Sequence, residues 1–205
     1  MKWTLGHIPE ILLATAQHLW LSGVSVVIGF VVAAGIAVYC AHRPRAYAVA
    51  LVLTNLLFVL PSLALFAFLI PFLGLGQKPV IVGLSSYSLV ILLRNMVTGM
   101  NAVPQDAMEA ARGLGFRPKD LWLRVELPLS APFVISGLRI ASVTVIGIAT
   151  IGAFIDGGGL GTIILTGLDQ NRAEKIIVGC VLISTLALLF DKALQLAEQL
   201  FVRWR

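Results

Sequence analysis

Residues 109–128 read Glu109-Ala110-Ala111-Arg112-Gly113-Leu114-Gly115-Phe116-Arg117-Pro118-Lys119-Asp120-Leu121-Trp122-Leu123-Arg124-Val125-Glu126-Leu127-Pro128, a mixed-charge stretch in an otherwise apolar chain. Asp106 and Glu109 suit the first turn of a helix, where aligned peptide dipoles favour negative charge. Gly115 can take the left-handed conformation that ends such a helix, and Pro118 with Asp120 can start the next. Pro128 then marks a boundary before the apolar pattern resumes. The small side chains of Ala110 and Ala111 let the first helix approach another surface closely, with Glu109 and Arg112 as charged anchors at its edges. On the residues alone, the stretch is either a docking element or an amphipathic surface loop.

On both sides of it the chain is written for a membrane. Of 205 residues, 59% are hydrophobic and 12% charged, and the mean hydropathy is +0.96. A soluble domain averages about 45–50% apolar and 25% charged, so a soluble globular reading is excluded. One helical crossing needs roughly 20 apolar residues. Five fit, at about 19–40, 47–72, 79–96, 131–155 and 176–196, with residues 97–130 left as one long polar loop. Pro61 should kink the second span and leave a carbonyl for other helices to satisfy. The expected class is an all-α, polytopic membrane protein.

The basic residues set the orientation. Arg43, Arg45, Arg94, Arg112, Arg117, Lys119, Arg124, Lys192, Arg203 and Arg205 fall on one side, against Lys2, Lys78, Arg172 and Lys175 on the other. The positive-inside bias places the loop and the C-terminus in the cytoplasm and the N-terminus outside. The net charge of +5 therefore reflects membrane orientation and not nucleic-acid binding.

Enzyme chemistry finds little footing. Cys40 and Cys180 sit in apolar runs without a second ligand and read as small core residues. Ala14-Thr15-Ala16 imitates a signal-peptidase site, but the preceding apolar stretch is short and holds Glu10, so no cleavage is expected. The chain has no Gly-x-x-x-x-Gly-Lys-[Ser/Thr] loop, so ATP hydrolysis and nucleotide binding are not expected of it. Gly157, Gly158, Gly159 and Gly161 match no phosphate motif and read as a flexible external turn. No His/Asp/Glu cluster, Ser–His–Asp set or metal-spaced ligands occur.

Polar residues in or beside the spans are costly in hydrocarbon unless paired or wet. Asn55, Ser62, Ser85, Ser86, Tyr87, Ser88, Ser142 and Thr144 either line a passage or make interhelical hydrogen bonds. Arg139, in span four, can face a cytoplasmic cavity, pair with an acid or snorkel. Tyr39, Tyr47 and Trp20 read as interfacial aromatics near span ends, with cation–π contacts as the alternative.

The 109–128 stretch resembles the EAA loop of permease subunits of type I ATP-binding cassette (ABC) importers. In that pattern Glu-Ala-Ala is followed by three residues, Gly, nine residues, Ile, one residue and Leu-Pro. Here Glu109-Ala110-Ala111, Gly115 and Leu127-Pro128 match, and Val125 replaces Ile. The resemblance implies a single transmembrane domain over about 15–196 whose loop forms a coupling helix inserted in a groove on a cytoplasmic ATPase subunit. Glu109, Ala110, Ala111, Arg112, Gly115, Leu127 and Pro128 are the docking residues it implies. It further implies ATP and magnesium on that partner, a second permease, identical or paralogous, around a shared path, and an extracellular or periplasmic binding protein. The setting it implies is a bacterial or archaeal cytoplasmic membrane and its lipid.

Leu93-Arg94-Asn95, Ser136-Gly137-Leu138-Arg139 and Gly152-Ala153-Phe154-Ile155-Asp156-Gly157-Gly158-Gly159-Leu160-Gly161 look more like one subgroup, the permeases for glycine betaine, choline and carnitine. Asp156 departs from the small residue expected there. That resemblance makes a quaternary-ammonium osmoprotectant the expected cargo. Asn55, Ser62, Ser85, Tyr87, Ser88 and Arg139, polar groups in or beside the spans, are the candidate pathway residues. Methionine, another amino acid or an oxyanion is the alternative cargo, and a passive channel or a membrane enzyme the alternative class.

Overall fold

A computed structural model of the chain describes residues 2–41 and 43–201, and among these every regular element is helical. A short helix α1 (Lys2–Gly6) leads into α2 (Ile8–Cys40), followed by α3 (Pro44–Val59), α4 (Ser62–Leu73) and α5 (Gln77–Asn101). The polar loop holds α6 (Gln105–Gly113) and α7 (Pro118–Leu121), and a π-helical turn (Trp122–Glu126) joins α7 to α8 (Leu127–Ala149). A 3₁₀ turn (Thr150–Ile155), α9 (Leu160–Asp169) and α10 (Ala173–Phe201) complete the chain. Arg203 and Arg205, counted above toward the cytoplasmic side, lie outside the described residues.

The bundle is built around α5. At one end, Ala33, Ala37 and Cys40 of α2 pack on Leu92, Met96, Val97 and Met100 of α5 and on Ala141 of α8. At the other, Leu21 of α2 meets Val80 and Leu84 of α5 and Val145 and Ala149 of α8. The rising numbers make α2 and α5 parallel and α8 antiparallel to both. Small residues permit the close approach that stabilises helix pairs in lipid. A Cβ on Gly29 of α2 would stand 1.8 Å from Ser88 Oγ of α5. Ser25 Oγ donates to the Leu21 carbonyl at 2.7 Å and lies 3.3 Å from that of Ile81, so the hydroxyl stays satisfied.

Because α2 and α5 are parallel, the chain must cross back between them, and α3 with α4 makes that crossing. Ala46, Tyr47 and Ala50 of α3 pack at the Cys40 end, and Phe66 of α4 packs at the Val80 end. The expected kinked span 47–72 is instead two helices set at 96°. Four helical stretches are long and apolar enough to span a membrane, and the bent pair, counted as one crossing, brings the candidates up to five. Pro61 stands at the break, and the Tyr87 hydroxyl of α5 donates to the Leu60 carbonyl left open there.

Three further expectations change. Pro128 sets no boundary, because one helical stretch runs from Pro118 to Ile155. Proline lacks the amide that would bond back to the carbonyl of residue 124. The backbone widens just before it, the Leu127 amide bonding to Trp122 O. The glycines after Asp156 form a packed knot and not a flexible turn. A Cβ on Gly157 would lie 2.7 Å from Gly152 O, and one on Gly161 2.2 Å from Thr150 O. Cys40 is a core residue as read, but Cys180 is exposed on α10. The outward faces of α2, α3 and α10 carry exposed Leu12, Val27, Val52, Leu56, Val181 and Leu188, the covering a hydrocarbon solvent requires.

Candidate functional site

Helix α6 is short, and its ends are set by local chemistry. Pro104 precedes it, Asp106 lies in its first turn and Arg112 in its last. Gly115, at φ +82°, closes it. The Gly115 amide bonds to Arg112 O at 2.9 Å and the Phe116 amide to Ala111 O at 3.2 Å, the paired bonds of a Schellman cap. Ala111 is buried against the body of the protein, while Glu109, Ala110 and Arg112 are exposed and Leu114 is 79% exposed at the tip. Leu127 and Pro128 lie where the π-helical turn passes into α8. Beneath α6 is a cavity of about 330 Å³ lined by Met100, Asn101, Met108, Glu109, Arg112 and Glu126. Glu126, quoted in the loop but given no role by the sequence reading, is only 4% exposed there. Arg124 pairs with Asp120 at 3.4 Å on the outer surface of the same turn.

The candidate pathway residues do not converge on one cavity. Asn55 Oδ1 accepts from Arg94 Nη2 at 3.3 Å, and both line a cavity of about 220 Å³ with Phe58, Asn95 and Ile140. Arg139 reaches α10, bonding Asp191 at 2.8 and 3.2 Å and Glu198 at 3.3 Å. Of its three readings, pairing with an acid is present in the structure, and the pair also faces a groove. Arg139 and Asp191 line an adjoining groove of about 510 Å³ that shares Ile140 with the first cavity. Ser85 and Ser88 are instead closed between α2 and α5, Ser85 Oγ donating to Ile81 O at 2.7 Å and Ser88 Oγ to Ser85 O at 2.9 Å. Tyr87 is occupied at the Leu60 carbonyl, and Ser62 lies in the first turn of α4. Ser86 and Thr144 donate to carbonyls one turn back in their own helices, and Ser142 is buried. Tyr39 holds Arg43 over its ring at 4.6 Å. Trp20, expected near a span end, lies well inside α2.

The family of binding-protein-dependent transport system inner membrane components matches residues 25–202 of this chain. The chain belongs to that family. It is thus a multi-pass inner-membrane permease subunit of the ABC-importer kind. The choline transport system permease protein OpuBB of Bacillus subtilis is 38% identical over 93% of this chain and 88% of its own length. The glycine betaine/carnitine/choline permease protein OpuCB of the same organism is 37% identical over the same shares. A chain of the methionine ABC transporter MetNI shares the fold, with a TM-score of 0.85 over 98% of this chain and 99% of that one at 22% identity.

Besides Glu126, the sequence reading of this permease missed three polar groups. Asp191 fell inside the expected last span and Glu198 just beyond its end, and neither was given a role, although their spacing places both on one face of α10, two turns apart. His18 is fully buried in α2 with Nε2 donating to Ile146 O at 3.0 Å. That carbonyl is freed because the Thr150 amide bonds to Gly147 O at the switch from α to 3₁₀. No local pattern around His18 signals a carbonyl 128 residues away.

Proposed function

We propose that this chain is the membrane subunit of an ATP-driven importer for a quaternary-ammonium osmoprotectant, glycine betaine, choline or carnitine. The observation that carries the cargo is the near-full-length similarity to OpuBB and OpuCB. The exposed edge of α6, with Glu109, Ala110 and Leu114 presented on a capped helix, supports docking to an ATPase subunit, together with Arg112, Gly115, Leu127 and Pro128 around it. ATP and magnesium belong to that partner, and this chain binds neither.

In this reading the α6 end is cytoplasmic and α1 lies outside. ATPase closure displaces α6, which packs on the π-helical turn. The stretch from Pro118 to Ile155 is one helical unit, so movement at its cytoplasmic end is carried to the 3₁₀ turn and the glycine knot at the other. The ion pairs from Arg139 make α10 follow α8. Five crossings enclose too little for a path, so two permeases, identical or paralogous, face each other. The surface holding Asn55, Arg94, Ile140 and Arg139 suits their shared passage. An extracellular binding protein delivers the cargo, and ATP binding opens the permease to it.

The test is ATP-dependent uptake of labelled glycine betaine into proteoliposomes holding this chain with its co-encoded ATPase and binding protein, in competition with choline, carnitine and methionine. Uptake that requires ATP and is blocked by a quaternary amine is the expected result. Uptake blocked by methionine alone would support the second reading, which the shared MetNI fold favours. Flux without any ATPase would indicate a channel and overturn the importer.

A further inference from the structure

Between the last turns of α2 and the first turns of α3 lies an open groove of about 540 Å³, lined by Ile36, Tyr39, Cys40, Val49, Ala50 and Leu53, with Arg45 at its rim. Its walls are apolar, and the Thr54 hydroxyl at its inner end is already spent on Ala50 O at 2.8 Å. From Arg45 to Leu53 the groove runs roughly 12 Å along α3 at 1.5 Å per residue. Arg43 lies beside the mouth, its guanidinium 4.6 Å from the Tyr39 ring centroid, and both arginines are exposed. Among the described residues no carboxylate pairs with either one. None is near in sequence, since the chain has no Asp or Glu between Glu10 and Asp106.

We infer that this groove is a binding site for an anionic phospholipid, with the headgroup phosphate between Arg43 and Arg45 and an acyl chain along Ile36, Val49 and Leu53. Charge complementarity selects the occupant. Two unpaired guanidinium groups at the mouth call for an anion, and the apolar slot behind them calls for hydrocarbon. A phospholipid of the surrounding leaflet carries both on one molecule. Basic pockets between helices at a cytoplasmic membrane face bind anionic headgroups on the same physical grounds. Tyr39 braces Arg43, so that less side-chain freedom is lost when the phosphate is engaged. The groove abuts the segment that supports α6, since Val38 and Ala41 of α2 line a cavity with Met108, Arg112 and Trp122. An occupied groove therefore stiffens the hairpin on which the coupling loop rests.

The test is lipid retention, which needs neither cargo nor ATP turnover and so stands apart from the importer reading. The permease, purified with its ATPase from membranes supplemented with equal palmitoyl-oleoyl phosphatidylglycerol and phosphatidylcholine, is examined by native mass spectrometry after mild delipidation. Preferential retention of phosphatidylglycerol is expected. Arg43→Gln with Arg45→Gln should weaken that preference about 25-fold, at roughly five-fold per arginine. Val49→Trp, which fills the slot and leaves both charges, should abolish it too. Arg117→Gln with Lys119→Gln, at the same membrane face, should leave it intact and controls for general surface charge. Equal retention of both lipids by the unaltered protein, unchanged preference in the double arginine variant, or equal loss in the Arg117/Lys119 control would each overturn the site.

Discussion

At Gly115 the backbone is held at φ +82° while the space around it is open. A substitution there is limited by conformation and not by contact. Asn tolerates the left-handed region and a β-branched residue does not, the difference being on the order of 1–2 kcal/mol. Gly115→Asn should therefore keep most ATP-dependent uptake and Gly115→Val should lose most of it, with both variants inserted in the membrane. The opposite constraint governs Gly161, where an added Cβ would meet the Thr150 carbonyl. Gly161→Ala should lower the thermal midpoint of the detergent-solubilised protein by several degrees. Gly113→Ala, in open space on α6, should leave it unchanged or raise it slightly. Gly115 was legible in the sequence because a helix end is a local event, written in the residues that make it. His18 and the partners of Arg139 were not, because each is explained by a group far away along the chain.

The bent pair α3–α4 shows the same division for an element. A proline at 61 announces a bend, and the requirement that another helix satisfy the freed backbone follows from hydrocarbon alone. The angle of 96° and the donor, Tyr87, depend on how α4 seats against α5, where a Cβ on Gly83 would lie 2.5 Å from the Phe66 ring. Tyr87→Phe keeps the ring that packs edge-on against Phe58 at 5.6 Å and removes only the donor. It should destabilise the protein by about 1 kcal/mol, the cost of leaving a half-exposed carbonyl at the helix break without its donor. Thermal unfolding checks this, and an unchanged midpoint would show that the Leu60 carbonyl has another partner. Pro128 illustrates the converse. Its expected boundary followed from the rule against proline inside helices, and a single widened turn absorbs the missing amide.

For the molecule as a whole, composition settled the class, and the apolar runs announced the four long helices and the bent pair as candidate crossings. The parallel pairing of α2 with α5 was hidden, since it depends on which small residues meet across helices. The proposed orientation can be read directly in a background where Cys40 and Cys180 are replaced by Ala. A cysteine at Leu114 should react with an impermeant maleimide only when the cytoplasmic face is opened, and one at Gln170, beyond α9, from the intact outside. Reversed labelling would overturn the orientation. The coupling of α8 to α10 is tested by Arg139→Gln and Asp191→Asn, alone and together. Arg139→Gln strands both Asp191 and Glu198, whereas Asp191→Asn leaves Arg139 paired with Glu198, so the arginine variant should lower folded yield more, and the double variant should be less harmed than the sum of the single ones.

The bare leucine at the tip of α6 bears on the life of the subunit before assembly. Leu114 is 79% exposed on the helix proposed to dock in the cytoplasm, a greasy knob standing in water. A copy without its proposed ATPase partner leaves that apolar side chain in water, the kind of surface on which cellular proteolysis of unassembled chains acts. Synthesised without its partner, the chain should be degraded severalfold faster in a pulse-chase, and Leu114→Ser should slow that clearance while leaving the embedded helices as they are.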